Sequence, residues 1–205
     1  MPRRLRDHPE ALDERVRLVA TKLRLEPAFI EKDFWVTEVL RSLAQRLDLG
    51  EDRAALVIFK GGTSLSKALS LIERFSEDLD ILIATRGLGK DAIHRHVLKG
   101  LADRVVESLG LGVETVASEK GVQRVVRYAY PRVTASVGTI TPHVQVEMGC
   151  RGGPEPHTTV EIRSLLAAHG PAEESVDMWE EHASFPMAVL APERTLVGTS
   201  PQLAQ

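Results

Sequence analysis

The sequence predicts an α/β protein of mixed (α+β) type, in which N-terminal helices pack on a small mixed sheet. Three observations predict it. Apolar residues recur at helical spacing through the first 47 positions. A short apolar run then meets the pair Gly61-Gly62, and Asp78-Leu79-Asp80 opens the next apolar run. Beyond Leu109 the hydrophobic period changes from helical to two.

Taken in order, Leu12, Val16, Val19, Ala20 and Leu23 mark one face of a helix from Pro9 to about Leu25. Pro27 suits the first turn of a second helix, where its missing N–H costs little. That helix carries Phe29, Ile30, Phe34, Val36, Val39, Leu40, Leu43 and Leu47, with Gly50 as its stop. Leu56 to Phe59 reads as a buried strand ending at the glycine pair, and Leu65, Ala68, Leu69 and Ile72 as one face of a short helix. Leu79 to Ile83 is the next strand. Asp91 to Leu109 is a long helix with Ile93, Val97, Leu98, Leu101, Val105 and Leu109 inward. Val113 to Val116, Val122 to Tyr130 and His143 to Met148 form an antiparallel extension. A helix over Ile162 to His169, an irregular acidic segment to Glu181 and a short strand from Met187 to Leu190 follow. The last ten residues lack periodicity and are expected to fray.

Composition narrows the class. With 43% hydrophobic and 27% charged residues, the 205-residue chain can build an ordinary core and is not of the disordered type. A net charge of −3 names no partner, so nucleic acid would have to meet a local basic face. Arg124, Arg127, Arg132, Arg151 and Arg163 could supply one, or could belong to a solvated surface of mixed charge. A single cysteine, Cys150, excludes an intrachain disulfide and a cysteine-cluster metal site, which fits a reducing cytoplasm. The basic start leads into a charged helical stretch instead of an apolar signal core, and no run reaches the ~18–20 residues that span a bilayer. The expected location is cytoplasmic, with no membrane partner. His94 and His96 fall on different helix faces and offer no metal site. Phe34 and Trp35 suit a core, with a partner-facing patch as the alternative.

The stretch from Phe59 to Asp80 carries the chemistry. Glycines let a backbone approach phosphates, and a following helix N-terminus offers unpaired N–H groups and a positive dipole end. Thr63, Ser64 and Ser66 add hydroxyls, and Lys60 or Lys67 could neutralise a triphosphate. On a strand, Asp78 and Asp80 share one face with Cα atoms roughly 6–7 Å apart. That suits Mg²⁺, which takes one or two carboxylates together with phosphate oxygens and water. It is not a Walker A loop, because Gly61 leads to Ser66-Lys67-Ala68 without the second glycine or the metal-binding hydroxyl. In haloacid-dehalogenase phosphatases and many sugar-nucleotide transferases an Asp-x-Asp ends an apolar strand. Here Glu73-Arg74-Phe75-Ser76-Glu77 precedes the acids and the apolar residues follow them.

A glycine turn opening a helix, followed by Asp-x-Asp on the next strand, resembles the polymerase-β-like nucleotidyltransferases. Lys60 to Lys67, with Ile72 to Ile81, is closer still to the AbiEii/AbiGii toxins of type IV toxin–antitoxin and abortive-infection systems. Glu31-Lys32-Asp33-Phe34-Trp35-Val36-Thr37, Val144 to Gly149 and Ala191 to Thr195 extend the similarity over roughly residues 28 to 195. The resemblance implies a polymerase-β-like nucleotidyltransferase core over 51–192, an N-terminal helical segment over 1–50 and a frayed tail over 193–205. It implies Asp78 and Asp80 as Mg²⁺ ligands and Glu147 as the third catalytic carboxylate. Gly61, Gly62, Thr63, Ser64, Lys67 and Ser76 are the implied nucleotide contacts. The implied activity is transfer of a nucleotide from a nucleoside triphosphate to an RNA acceptor such as tRNA, restrained by a cognate antitoxin. Members of this family usually continue past Pro192-Glu193-Arg194-Thr195 into helices carrying a catalytic lysine and then an aspartate. Here Thr199 stands near the place of the lysine. The alternative expectation is therefore a truncated, catalytically silent member that binds nucleotide or antitoxin without turnover.

Overall fold

A computed structural model describes residues 3–44, 47, 49, 53–71, 78–135, 140–171 and 178–193. Helix α1 spans Pro9–Leu23, with its proline in the first turn and Arg24 closing it in the left-handed conformation at φ 56°. Helix α2 spans Pro27–Ala44 and is buried nearly all round, from Ala28 to Leu43. An amphipathic pattern expects one wet face. Instead α2 is the central helix, and its charged residues carry buried partners of their own. Phe34 and Trp35 belong to the core, and Trp35 stacks on Tyr130 with ring centroids 5.5 Å apart.

Strand β1 (Ala54–Lys60) runs straight into helix α3 (Gly61–Lys67). Strand β2 (Asp78–Arg86) returns antiparallel to β1, pairing Lys60 with Asp80 and Ala54 with Arg86. Helix α4 covers residues 90–109 and includes a π-helical stretch at Ile93–Leu98 that the helical period did not announce. Gly110 ends it at φ 66°. Strands β3 (Gly112–Glu119), β4 (Gln123–Ala129) and β5 (His143–Gly149) form the expected antiparallel extension.

Strand β6 (His157–Ile162) was not expected. Ile162 ends it, and the following helix α5 is only Leu165–His169, because the Ser164 hydroxyl accepts from Ala167 N at 3.1 Å and fixes the start there. Among the described residues, strand β7 (Phe185–Leu190) completes a seven-stranded mixed sheet in the order β3-β4-β5-β2-β1-β7-β6. The β1/β7 and β2/β5 pairs are parallel, and the others antiparallel. The expected stop at Gly50, the end of the short helix at Ile72, the acidic segment over 172–177 and the final ten residues lie outside the described residues.

Among the described residues, the sheet has one covered face and one open face. Phe59, Leu79, Ile81, Val126, Tyr128, Val144, Val146, Met148 and Val189 are buried in the main core against the helices. Alternation sends Asp78, Asp80, His143, Gln145 and Glu147 to the other face. There Ile58, Leu82 and Leu190 form a small second cluster beside the polar residues. Among the described residues no helix is long and apolar enough to cross a membrane.

Candidate active site

Strand register assembles the acids. Asp78 and Asp80 flank Leu79, whose side chain is fully buried, so both carboxylates stand on the open face. The parallel β2/β5 pair sets Asp78 beside Gln145 and Asp80 beside Glu147. The antiparallel β1/β2 pair sets Lys60 on the other side of Asp80, with Nζ 3.7 Å from Oδ1. Glu147, Asp80 and Lys60 thus form one row across three adjacent strands. Asp78 and Glu147 are exposed, and the Asp80 side chain is one-third exposed.

The glycine turn closes on the same acids. Gly61 has φ +78°, and a Cβ there would stand 2.1 Å from Asp80 Oδ2. Only glycine permits both that backbone and that approach. Gly62 faces open space, with nothing within 4 Å of a Cβ. The Thr63 hydroxyl donates to the Asp78 carbonyl at 2.6 Å, and Ser64 donates to the Gly61 carbonyl at 2.8 Å. Ser66 donates to the carbonyls of Gly62 and Thr63. These hydroxyls, expected as phosphate donors, brace the turn in this structure, and Thr63 ties it to the first residue of β2. What the turn has left for an anion is its backbone N–H groups.

Lys67, expected as a nucleotide contact, has partners of its own. Its amine is held by the Asp33 carboxylate on α2 and by the Arg163 carbonyl at 3.5 Å, with only 8% of the side chain exposed. Among the described residues, the cation paired with Asp80 is Lys60. Ser76 lies outside the described residues.

Three consecutive charged residues of α2 support the site, a function that was not read from the sequence. Glu31 accepts from the backbone N–H groups of Val133 and Thr134 and from the Thr134 hydroxyl. Lys32 donates to the carbonyls of Thr141 and His143, where β5 begins. Asp33 takes Lys67 and the Leu165 N–H, the latter at 2.7 Å. All three are buried. A buried charge is tolerated only when paired and hydrogen-bonded, so each pins a different segment to the central helix. The signal that could have found them is three adjacent charges inside an otherwise apolar helix.

Among the described residues, no three His, Cys, Asp or Glu side chains converge into a metal cage. A Mg²⁺ site completed by phosphates and water needs only one or two carboxylates, a donor set that Asp78 and Asp80 fit. Cys150 is half-buried, and burial pushes its thiol up. Four of the five arginines have partners of their own. Arg124 bonds Thr115 at 2.9 Å, Arg132 bonds the Ile140 carbonyl at 2.7 Å and Arg151 lies 3.5 Å from Glu119, while Arg127 stands on the open face with Gln145.

The family described as "Nucleotidyl transferase AbiEii toxin, Type IV TA system" matches residues 41–198. The chain belongs to this family. The match takes in the glycine turn, both aspartates and Glu147, so this AbiEii chain carries the motif in its family setting. Its fold is similar to that of MenT4, a nucleotidyltransferase toxin from Mycobacterium tuberculosis H37Rv, with a TM-score of 0.52 at 20% identity. The similarity covers 89% of this chain and 56% of MenT4, so the AbiEii chain spans little more than half of that protein's length. Among curated proteins none matches it.

Proposed function

We propose that this AbiEii-family chain binds Mg²⁺ and a nucleoside triphosphate at Asp78 and Asp80 and transfers a nucleotide to the 3′ end of an RNA such as tRNA. As the toxin half of a type IV system it is restrained by a cognate antitoxin in the cytoplasm. The observation that supports this most is the parallel β2/β5 register, which sets Glu147 beside Asp80 on the face where the Gly61 turn closes. In this reading Asp78 and Asp80 hold the cation, and Glu147 is the third carboxylate. Bound there, Mg²⁺ supplies charge neutralisation on the triphosphate and activation of its α-phosphate. The backbone N–H groups of Gly62, Thr63 and Ser64 cradle the triphosphate. Lys60 exchanges its contact with Asp80 for a phosphate oxygen, the place the sequence allowed either Lys60 or Lys67. The Thr63 and Ser64 hydroxyls and Lys67 keep the turn in position.

The test is incorporation of each labelled nucleotide into total tRNA by the purified chain and by Asp80→Asn. Labelling by the wild type and not by the variant is expected. Mg²⁺-dependent nucleotide binding without labelling, lost in Asp78→Ala, would instead select a silent member of the family. Absence of both binding and labelling overturns the reading.

A further inference from the structure

The open face carries a second polar row beside the carboxylates. The registers of β3/β4, β4/β5 and β2/β5 line up Glu114, Arg127, Gln145 and Asp78 across four neighbouring strands. Arg127 stands two strands from Asp78, about 10 Å at the ordinary strand spacing. Its Nε donates to Gln145 Oε1 at 2.9 Å. Because the Gln145 oxygen is the acceptor, its NH₂ group keeps both donors. Among the described residues, neither that NH₂ nor the terminal Nη groups of Arg127 have a hydrogen-bond or ion-pair partner. Glu114, directly opposite, makes no ion pair with Arg127. Neighbouring cations are used differently: Lys120 pairs with Asp91 at 2.6 Å and Arg151 with Glu119 at 3.5 Å. The free groups of the pair are mostly donors, and the Arg127 guanidinium presents them in the planar fork that suits a phosphate.

Its position relative to the reaction says which phosphate. In-line displacement puts the attacking and leaving oxygens on opposite sides of the phosphorus. The glycine turn extends from β1, on one side of the aspartates, and β5 and β4 lie on the other. With the triphosphate on the turn, pyrophosphate leaves toward β1 and the acceptor hydroxyl enters from β5 and β4. The acceptor oxygen bonds to the α-phosphorus, the bond from that phosphorus to the bridging oxygen breaks, and the hydroxyl proton passes to solvent. Beyond Arg127 every residue of β3 is exposed, so an extended strand can reach this side.

We infer that Arg127 and Gln145 form an acceptor subsite that binds a backbone phosphate of the RNA strand whose terminal hydroxyl attacks. This rests on the transfer reaction proposed above. The test is fluorescence anisotropy of a 5′-labelled single-stranded RNA with a free 3′ hydroxyl, titrated in Mg²⁺ at several salt concentrations. Binding of Mg²⁺–nucleotide is measured in parallel by calorimetry. Arg127→Ala is expected to weaken RNA binding about tenfold and to flatten the salt slope by about 0.7, with nucleotide binding unchanged. Arg127→Lys keeps the charge without the fork and falls between. Glu114→Gln, at an exposed position, removes a repelling charge and tightens RNA binding. The subsite is overturned if the wild type binds no RNA, if Arg127→Ala keeps its affinity and slope, or if nucleotide binding falls by the same factor. RNA binding that responds as expected, without incorporation of nucleotide, leaves the subsite standing and removes the transfer reaction.

Discussion

Replacing Gly61 by alanine separates backbone strain from damage to the site, and Gly62 supplies the matched control one residue away. At φ +78° an L residue costs about 1–2 kcal/mol relative to a right-handed backbone. The new Cβ would also start 2.1 Å from Asp80 Oδ2, where an ordinary contact begins at 3.4 Å, so the carboxylate must retreat by more than an ångström. A short side chain can swing that far, and the collision then falls less on stability than on the acid itself. Misplacing a reacting group by that much costs on the order of a hundredfold. Gly62→Ala meets nothing within 4 Å in a helix and gains roughly 0.5–1 kcal/mol instead. The two variants should therefore move the urea midpoint in opposite directions at constant m-value. Mg²⁺-dependent nucleotide affinity should collapse in the first, while the second serves as the control for stability alone. If Gly61→Ala keeps the midpoint of Gly62→Ala and the nucleotide affinity of the wild type, the Gly61–Asp80 contact does not organise this site.

Thr63→Val removes the donor to the Asp78 carbonyl; it should cost about 1 kcal/mol and raise the nucleotide dissociation constant in calorimetry. Lys67→Met leaves the Asp33 carboxylate buried without its cation, a loss of about 3–5 kcal/mol in urea unfolding. Adding Asp33→Leu should recover part of it. Glu38 is pushed up to about 7, first by burial and then by repulsion from Glu181, against the pull of Arg41 and Arg6. Its folded value lies above its unfolded value of 4.5, so its contribution is full below pH 4.5 and is lost as pH rises through 7. Over that window stability should fall by about 3 kcal/mol, and Glu38→Gln should flatten the decline in urea midpoints taken from pH 4.5 to 8.

The glycine turn and the Asp-x-Asp were legible because their chemistry is set by local spacing. Strand alternation carried Glu147 to the right face, but its neighbour across β2/β5 depends on a parallel pairing that no local pattern encodes. The same limit explains Lys67, whose partner Asp33 lies on a distant helix. Glu31, Lys32 and Asp33 were unreadable because charged residues in a helix ordinarily mark a solvated face, and here the neighbours of α2 supply partners from all sides. Strand β6 escaped because its threonines give little apolar alternation at a sheet edge. Its last residue, Ile162, was then absorbed into the helix that Ser164 caps.

The strand order interleaves early and late parts of the chain, and this bears on how the protein is made. The glycine turn and both aspartates leave the ribosome after α1 and α2 but before every other strand, on a β1/β2 pair of a kind that is marginal in water when alone. Asp80 gains Glu147 as a neighbour only after His143–Gly149 has been synthesised, and β1 gains its second partner only with Phe185–Leu190. A ribosome carrying half of this chain holds every residue of the glycine–aspartate motif and none of the assembled acidic row. The cell that translates it meets the complete constellation only once Phe185–Leu190 has been made and the sheet has closed.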